Sequence, residues 1–177
     1  MGKSQKGIIP FEQFLKELDS SKTYIDVQGD FSEFLHTPGV WVCYGINKKK
    51  PSGWECLNVG QSKNIGIEMR KDLRYSEGTY WHKKGIYKNY NKEKIFEFER
   101  PNDEPITIQE RVWRHIRDNY ENLHFVVILK SKSEDIRLLT EMKFAEDKQA
   151  KYWNYSPKQR KLKAKLSAKN KSVSSLS

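Results

Sequence analysis

The feature that most constrains the fold is a pair of strand-like stretches separated by a turn. Residues 39–46 read GVWVCYGI and residues 54–59 read WECLNV, and both are rich in the β-branched and aromatic residues that favour strands. Between them, residues 47–53 read NKKKPSG, which is typical of a turn. The pattern predicts a β-hairpin. A third apolar run, LHFVVIL at residues 123–129, is typical of a central strand covered on both faces.

Helical patterns precede, separate and follow these strands. Residues 10–20 place apolar side chains at i, i+3, i+4 and i+7, which gives one apolar helix face. Thr107 and Glu110 have the spacing of a capping box, and Ser133 can cap a last long helix. Helices are therefore predicted over residues 10–20, 30–36, 64–73, 107–120 and 134–153, with a further short strand at 95–98.

This order of elements predicts an α/β fold in which helices flank a small sheet that contains the β-hairpin. We divide the chain into an N-terminal helical arm at residues 1–38, a single domain at residues 39–156 and a basic tail at residues 157–177. Within the domain, the polar and aromatic stretch at about 75–106 has no clear period, and we treat it as an insert.

The tail accounts for most of the net charge. Residues 157–177 contain seven Lys or Arg and no acid, whereas the whole chain has a net charge of +10. Because this segment has few large apolar groups, we predict that it is disordered. A flexible cationic tail raises affinity for polyanions through counterion release, without sequence preference. A solubilising tail is an equally good interpretation.

The composition limits the class of protein. No stretch approaches the roughly 18–20 apolar residues that cross a bilayer, and the first residues lack the apolar region of a secretory signal, so we expect a cytoplasmic protein with no membrane partner. The two cysteines, Cys43 and Cys56, match no zinc-ligand spacing and are interpreted as buried thiols.

Two short motifs at the hairpin carry a resemblance to a known family. Residues 39–41 read GVW and residues 58–60 read NVG, and the latter continue to residue 65 as NVGQSKNI. A later helix carries Glu141 about a dozen residues before Asn154. This arrangement resembles the GIY-YIG nuclease family, in which a Gly-Ile-Tyr strand and a Tyr-Ile-Gly strand precede an arginine helix and a glutamate helix. The resemblance covers about 39–73 and 123–154.

The chain departs from the family pattern at three positions. The first tyrosine of the family corresponds to Trp41, whose indole donates a hydrogen bond but cannot accept a proton. The second tyrosine corresponds to Asn58. The family arginine stands ten residues further along, where this chain has Glu68, and the nearest arginine is Arg70.

The resemblance implies roles for particular residues. It implies that Glu141 holds a Mg²⁺ ion, that Arg70 stabilises the phosphate and that Asn58 occupies the place of the second tyrosine. Tyr44 is the nearest phenol that could replace the missing first tyrosine, although strand alternation puts it on the face opposite Trp41. Helical periodicity alone favours Glu146 over Glu141 as the inward-facing carboxylate.

The function that the resemblance implies is Mg²⁺-dependent cleavage of double-stranded DNA. The small size and the lack of a second recognisable DNA-binding domain favour a type II restriction endonuclease. Such an enzyme would act as a homodimer on a palindrome and would be accompanied by a cognate DNA methyltransferase.

Two other interpretations stay open. Glu141-Met142-Lys143 matches the E-x-K triplet of PD-(D/E)XK restriction nucleases, with Asp103 or Asp135 as the upstream acid, although that triplet lies on a strand in those enzymes. The loss of the first tyrosine at Trp41 suggests instead a non-catalytic DNA-binding module of GIY-YIG-like fold.

Overall fold

The structure, a computed structural model, describes residues 7–28, 30–74, 85–98 and 107–175. Within these residues the chain is a mixed α/β protein with five α-helices, a four-stranded antiparallel sheet and a separate two-stranded hairpin. Much of the segment expected as an insert lies outside the described residues.

The elements follow one another in the order that the sequence predicts, with some additions. The strands are β1 (Ile25–Asp26), β2 (Gly39–Asn47), β3 (Glu55–Ser62), β4 (Gly85–Lys88), β5 (Lys94–Phe98) and β6 (Tyr120–Lys130). The helices are α1 (Phe11–Leu18), a 3₁₀ turn (Ser32–Phe34), α2 (Ile65–Arg74), α3 (Ile108–Asn119), α4 (Glu134–Asp147) and α5 (Pro157–Ser174).

The main sheet has the strand order β1-β6-β2-β3, and each neighbouring pair is antiparallel. The predicted hairpin is confirmed as β2 and β3, and the predicted central strand is confirmed as β6, which lies between β1 and β2. Gly39 allows β2 to approach β6 closely, because a Cβ at this position would lie 2.3 Å from the carbonyl oxygen of Leu129. Strand β3 is left at the edge of the sheet.

Helices cover both faces of the sheet, and each face has its own apolar cluster. Helices α2 and α3 contribute to the cluster on one face, which includes Trp41, and helices α1 and α4 contribute to the cluster on the other, which includes Tyr44. The prediction that Trp41 and Tyr44 lie on opposite faces of β2 is therefore confirmed. A strand buried on both faces explains why residues 39–46 are almost uniformly apolar.

The described part of the N-terminal segment is built into the same core. Phe11 of α1 packs against Trp54 with ring centroids 4.8 Å apart, and Phe14 packs against Tyr44 at 5.1 Å. Residues Ile25–Asp26 form β1 and pair with β6. This strand is absent from the predicted elements, because two residues are too few to show a period.

Helix α4 ends earlier than the predicted residue 153. The chain leaves the helix at Lys148, and Gln149 adopts a positive φ of 54°. The following backbone then runs beside the edge strand β3, where Lys151 N–H donates to the carbonyl of Cys56 at 3.1 Å and Tyr152 N–H donates to that of Leu57 at 2.8 Å. These bonds cover part of an otherwise open sheet edge.

The basic tail that the sequence predicted to be disordered is helix α5 over Pro157–Ser174. Ser156 and Gln159 form a reciprocal capping box at its start, and Pro157 occupies the first turn, where a missing N–H costs nothing. The prediction relied on poor core-forming composition, yet Lys, Ala, Leu and Gln are all good helix formers. Among the described residues, no helix is long and apolar enough to span a bilayer.

Candidate functional site

A cleft of about 680 Å³ opens at the β3 edge of the sheet, where elements from both faces meet. Residues 58–61 of β3 form its floor, residues 152–157 form one wall, and side chains from α2, α3, α4 and β4 close the rest. The cleft therefore forms because α4 crosses one face, α2 and α3 cover the other, and the chain returns along the edge between them.

Glu141 projects into this cleft from α4. Its Oε1 accepts a hydrogen bond from the indole N–H of Trp153 at 2.8 Å, and its Oε2 accepts one from the side-chain amide of Gln159 at 2.9 Å. The pKa of Glu141 is raised to about 8, mainly because burial disfavours the charged carboxylate; the charge of Glu68 adds to the rise, and the hydrogen bonds from Trp153 and Gln159 oppose it. The carboxyl group is thus fixed in orientation but poorly solvated.

Glu68 reaches the same cleft from α2, on the opposite side of β3. Its Oε2 accepts a hydrogen bond from the indole N–H of Trp41 at 3.3 Å, and burial raises its pKa above the usual range. The indole of Trp41 lies over Gly60 of β3, where a Cβ would come within 2.5 Å of the ring. Trp41 and Gly60 together fix the position of Glu68.

A third acid lies behind Glu68 on the same helix. Asp72 is fully buried, and the side-chain amide of Gln109, a cleft residue, donates to its Oδ1 at 2.7 Å. Burial and the charge of Glu68 raise the pKa of Asp72 to about 8. Three carboxyl groups in and beside the cleft are therefore destabilised in their charged form.

Polar groups from β3 and from the 152–157 wall complete the site. Asn58 uses its side-chain oxygen to accept the Val59 N–H at 3.0 Å, and Asn154 lines the cleft at the rim. The phenol of Tyr87 donates to the carbonyl of Tyr152 at 2.5 Å, which ties β4 to this wall.

The structure brings two of the four predicted site residues together. Glu141 and Asn58 both line the cleft, whereas Arg70 is exposed on α2 and does not line it. Glu68 and Arg70 are two residues apart, so their side chains leave the helix in directions about 200° apart, and only one of the two can face the cleft. Tyr44 is only 2% exposed and lies in the cluster on the other face of the sheet.

The family spacing favours Glu141 of α4, whereas the helical wheel favours Glu146. The cleft contains Glu141. Glu146 lies outside it and accepts a hydrogen bond from the phenol of Tyr155 at 2.8 Å. The wheel favoured Glu146 because it assumes a single buried face. Residues 152–157 and Gln159 pack against α4 at Glu141, so that helix is covered on more than one side.

Glu68 stands at the position of the family arginine, whereas the resemblance leads to Arg70 because it is the nearest arginine. The ten-residue spacing after Asn58 was the signal that could have placed Glu68 in the site. The partners of Glu141, Trp153 and Gln159, had no such signal, because both contacts depend on where α4 ends and α5 begins.

The charge of the cleft bears on whether a cation fits. Among its described lining residues there is no lysine or arginine. Within the part of the chain that the structure describes, no group of three or more His, Cys, Asp or Glu is arranged as a metal site. Mg²⁺ needs no such group, since it commonly binds through one or two carboxylates and keeps several waters. Glu141 and Glu68 offer that donor set, and a cation would offset the repulsion between them.

Comparison of the chain with protein-family models, with curated proteins and with solved structures found no match in any of the three. The resemblance to the GIY-YIG nucleases therefore depends on the motifs of residues 39–41 and 58–65 and on the spacing of Glu141 and Asn154.

Proposed function

We propose that this protein is a Mg²⁺-dependent endonuclease that hydrolyses phosphodiester bonds of double-stranded DNA, with a GIY-YIG-like arrangement of its site. The observation that carries the proposal is the convergence of Glu141 and Glu68 on one cleft beside Asn58, from helices on opposite faces of the sheet. Asn58 and Glu141 are the residues that the motif spacing selects.

The electrostatics of the cleft support a cation-dependent reaction. In their charged forms, Glu141 and Glu68 repel a phosphodiester as well as each other, and their raised pKa values reflect that cost. A divalent ion held by Glu141 would offset both repulsions and leave Glu68 free to accept a proton. When bound, such an ion polarises a phosphoryl oxygen and makes its water more acidic.

The side chains of the cleft have distinct roles in this proposal. Trp153 and Gln159 hold both oxygens of Glu141 in place, so the carboxylate needs no reorientation. Trp41 holds Glu68 through Oε2, and burial raises the pKa of Glu68, which makes its carboxylate a better proton acceptor than an exposed one. Glu68 thereby takes over the proton-accepting role that the indole of Trp41 cannot perform.

Arg70 and Tyr44, the two other predicted site residues, have a smaller role in the proposed reaction or none. Arg70 is exposed on α2 outside the cleft, where its guanidinium is available for a DNA phosphate but not for the reacting group. Tyr44 lies behind the sheet, and burial raises the pKa of its phenol, so the proposal does not use it.

The test is digestion of unmethylated phage DNA with Mg²⁺ and with EDTA. Discrete fragments that require Mg²⁺ support a type II restriction endonuclease, and a paired methyltransferase that blocks cleavage would strengthen this assignment. A smear would indicate a nuclease without site specificity. No cleavage with any of several divalent ions would overturn the proposed activity. Sedimentation with a palindromic duplex tests the homodimer.

The second candidate is a non-catalytic DNA-binding module. It is favoured by the cleft itself, whose described lining has no lysine or arginine and has Trp41 and Glu68 where the family has tyrosine and arginine. Duplex binding without cleavage under any metal condition would select it. The PD-(D/E)XK interpretation loses its basis, because Glu141-Met142-Lys143 lies within helix α4 and not on a strand.

A further inference from the structure

Helix α5 is attached to the domain only through its first turns. Gln159 is fully buried and Leu162 is half-buried, whereas every residue from 163 to 175 is exposed. The segment that extends from the domain therefore receives no stabilisation from burial. The 12 exposed helical residues from 163 to 174 correspond to a length of about 18 Å.

The exposed part of α5 also lacks the charge pairs that usually stabilise such a helix. Lys161, Lys165 and Lys169 follow one another at i, i+4 spacing, which places like charges side by side. The ion pairs of α5 with described residues use only Lys158 and Lys163, which contact acids of α4. The remaining lysines of the helix form no ion pair with a described residue, so their charge is available to a polyanion.

We propose that α5 is a DNA-binding arm whose lysines contact the phosphate backbone of a duplex beside the cleft. The identity of the partner rests on the proposed function, and the evidence for the surface is its charge. Contacts of this kind position a protein on DNA and add affinity without reading sequence. An exposed arm of about 18 Å spans roughly five phosphates of one strand, at about 3.4 Å per strand position.

The base of the arm is joined to the cleft. Ser156 and Pro157, at the start of α5, line the cleft, and Gln159 donates to Glu141 from the first turn. The capping box between Ser156 and Gln159 fixes the direction in which the helix leaves. A duplex held along α5 is thereby held next to the two glutamates.

A membrane surface and a second protein chain fit the side chains of α5 less well than DNA does. A membrane-surface helix buries a broad apolar face, whereas the exposed large apolar side chains of α5 are only Leu166 and Val173. Those two side chains lie on one side of the helix, seven residues apart, and they offer a second protein chain a narrow contact only.

The test compares two triple variants of the full-length protein that remove the same charge. In the arm variant, Lys165, Lys169 and Lys171 are changed to Ala, and in the control variant, Lys22, Lys49 and Lys50 on other surfaces are changed to Ala. Binding to a 20-base-pair duplex is measured by fluorescence anisotropy in EDTA, over a range of salt concentrations. Circular dichroism verifies that both variants keep the helical content of the parent.

We expect the arm variant to bind about tenfold or more weakly at low salt and to lose about two to three units of the salt slope, since each phosphate contact contributes about 0.9. The control variant is expected to change affinity less than about twofold. Equal losses in both variants would show that binding follows overall charge, and no loss in the arm variant would remove α5 from the interface. Either result overturns the proposal.

A third variant, Leu166→Ser with Val173→Ser, distinguishes DNA from a protein partner. It should leave duplex affinity and sedimentation unchanged. If it dissociates an oligomer while the arm variant does not affect DNA binding, α5 is a contact between protein chains. Because binding is measured without metal, the two proposals can fail separately. A protein that binds DNA through α5 but never cleaves it would support the proposed arm and contradict the proposed nuclease activity.

Discussion

The cleft and helix α5 adjoin each other, yet they differ in charge and exposure. Glu141 and Glu68 face the cleft with raised pKa values, and its described lining has no lysine or arginine. Helix α5 carries seven basic residues and no acid, and most of it is exposed. The hydrogen bond from Gln159 to Glu141 joins the two regions.

If the proposed function holds, the cleft provides the chemistry and helix α5 provides the affinity for DNA. The cleft holds two carboxyl groups in fixed positions, and in their charged forms they would repel a phosphate unless a cation were bound. The helix attracts phosphates but has no group suited to cleaving them. Each of the following experiments separates one region from the other.

The largest effect is expected for Glu141→Gln. The amide keeps the shape of the side chain but loses the charge that would bind a cation, so cleavage should fall on the order of 10³-fold, which corresponds to several kcal/mol of transition-state stabilisation. DNA affinity, measured by anisotropy in EDTA, should stay the same below about pH 8, where Glu141 is protonated, and rise above it, where the substitution removes a negative charge near the phosphate.

Glu146→Gln is the matched control on the same helix. Glu146 lies outside the cleft and bonds to Tyr155, so this variant should cleave at the parental rate. Full activity in Glu141→Gln together with no activity in Glu146→Gln would show that the wrong glutamate of α4 has been assigned to the site.

The second comparison is between Glu68→Gln and Arg70→Ala. If Glu68 accepts a proton in the cleft, its replacement should lower the cleavage rate about 10²-fold and remove one ionisation from the pH dependence of the rate. Arg70 is exposed outside the cleft, so its replacement should weaken DNA binding slightly and leave the rate at saturating DNA within about threefold.

Single-turnover rates across pH 5.5–8.5 provide the measurement for this pair. The opposite ranking, with Arg70→Ala inactive and Glu68→Gln active, would restore the family arginine to Arg70. It would also mean that α2 turns by about two residues when DNA binds.

The third prediction concerns stability against pH. Glu141 and Asp72 have pKa values near 8 in the folded chain, against ordinary values of 4.5 and 3.8. Between about pH 5 and 8 the folded chain keeps protons that the unfolded chain has released, so the free energy of unfolding falls as pH rises. The thermal midpoint in EDTA should therefore be several degrees lower at pH 8 than at pH 5.5.

Two amide variants separate the contributions to this slope. Glu141→Gln and Asp72→Asn should each flatten the pH dependence, since each removes one raised pKa. Only Glu141→Gln should abolish the stabilisation by Mg²⁺ at pH 8, because Asp72 is buried behind the cleft. A parental slope in both variants would mean that neither carboxyl group holds a proton in solution.

Much of the fold could be predicted from local sequence. The hairpin β2–β3, the central strand β6 and the caps at Thr107 and Ser133 follow from patterns within a few residues of each other, and the structure confirms them. Strand β1 and the early end of α4 could not be predicted, because both depend on pairing with distant strands. The helix at α5 was missed because a lack of core-forming residues was equated with disorder.

The site was predictable only where spacing along the chain determines position in space. For Asn58 the strand β3 fixes where the side chain lies, and for Glu141 the packed middle of α4 does so. Both side chains line the cleft. Arg70 was chosen for its chemistry against the spacing, and the structure puts Glu68 in the cleft. Tyr44 was chosen as a phenol despite its strand face, and it lies on the other side of the sheet.

The smallest effect is expected at Gln159, the residue that joins the two regions. Gln159→Ala removes a buried hydrogen bond to Glu141 and half of the capping box, so we expect a loss of about 1–2 kcal/mol in the free energy of unfolding.

Gln159→Glu is the sharper variant. It keeps a capping-box residue but places a second carboxyl group against Glu141. At pH 5.5 the shared proton still allows a hydrogen bond, whereas at pH 8 two charges would face each other, so the loss of stability should grow with pH. Urea unfolding at the two pH values measures both variants. If Gln159→Glu is as stable as the parent at pH 8, the bond between α5 and Glu141 does not form in solution, and the arm and the cleft act independently.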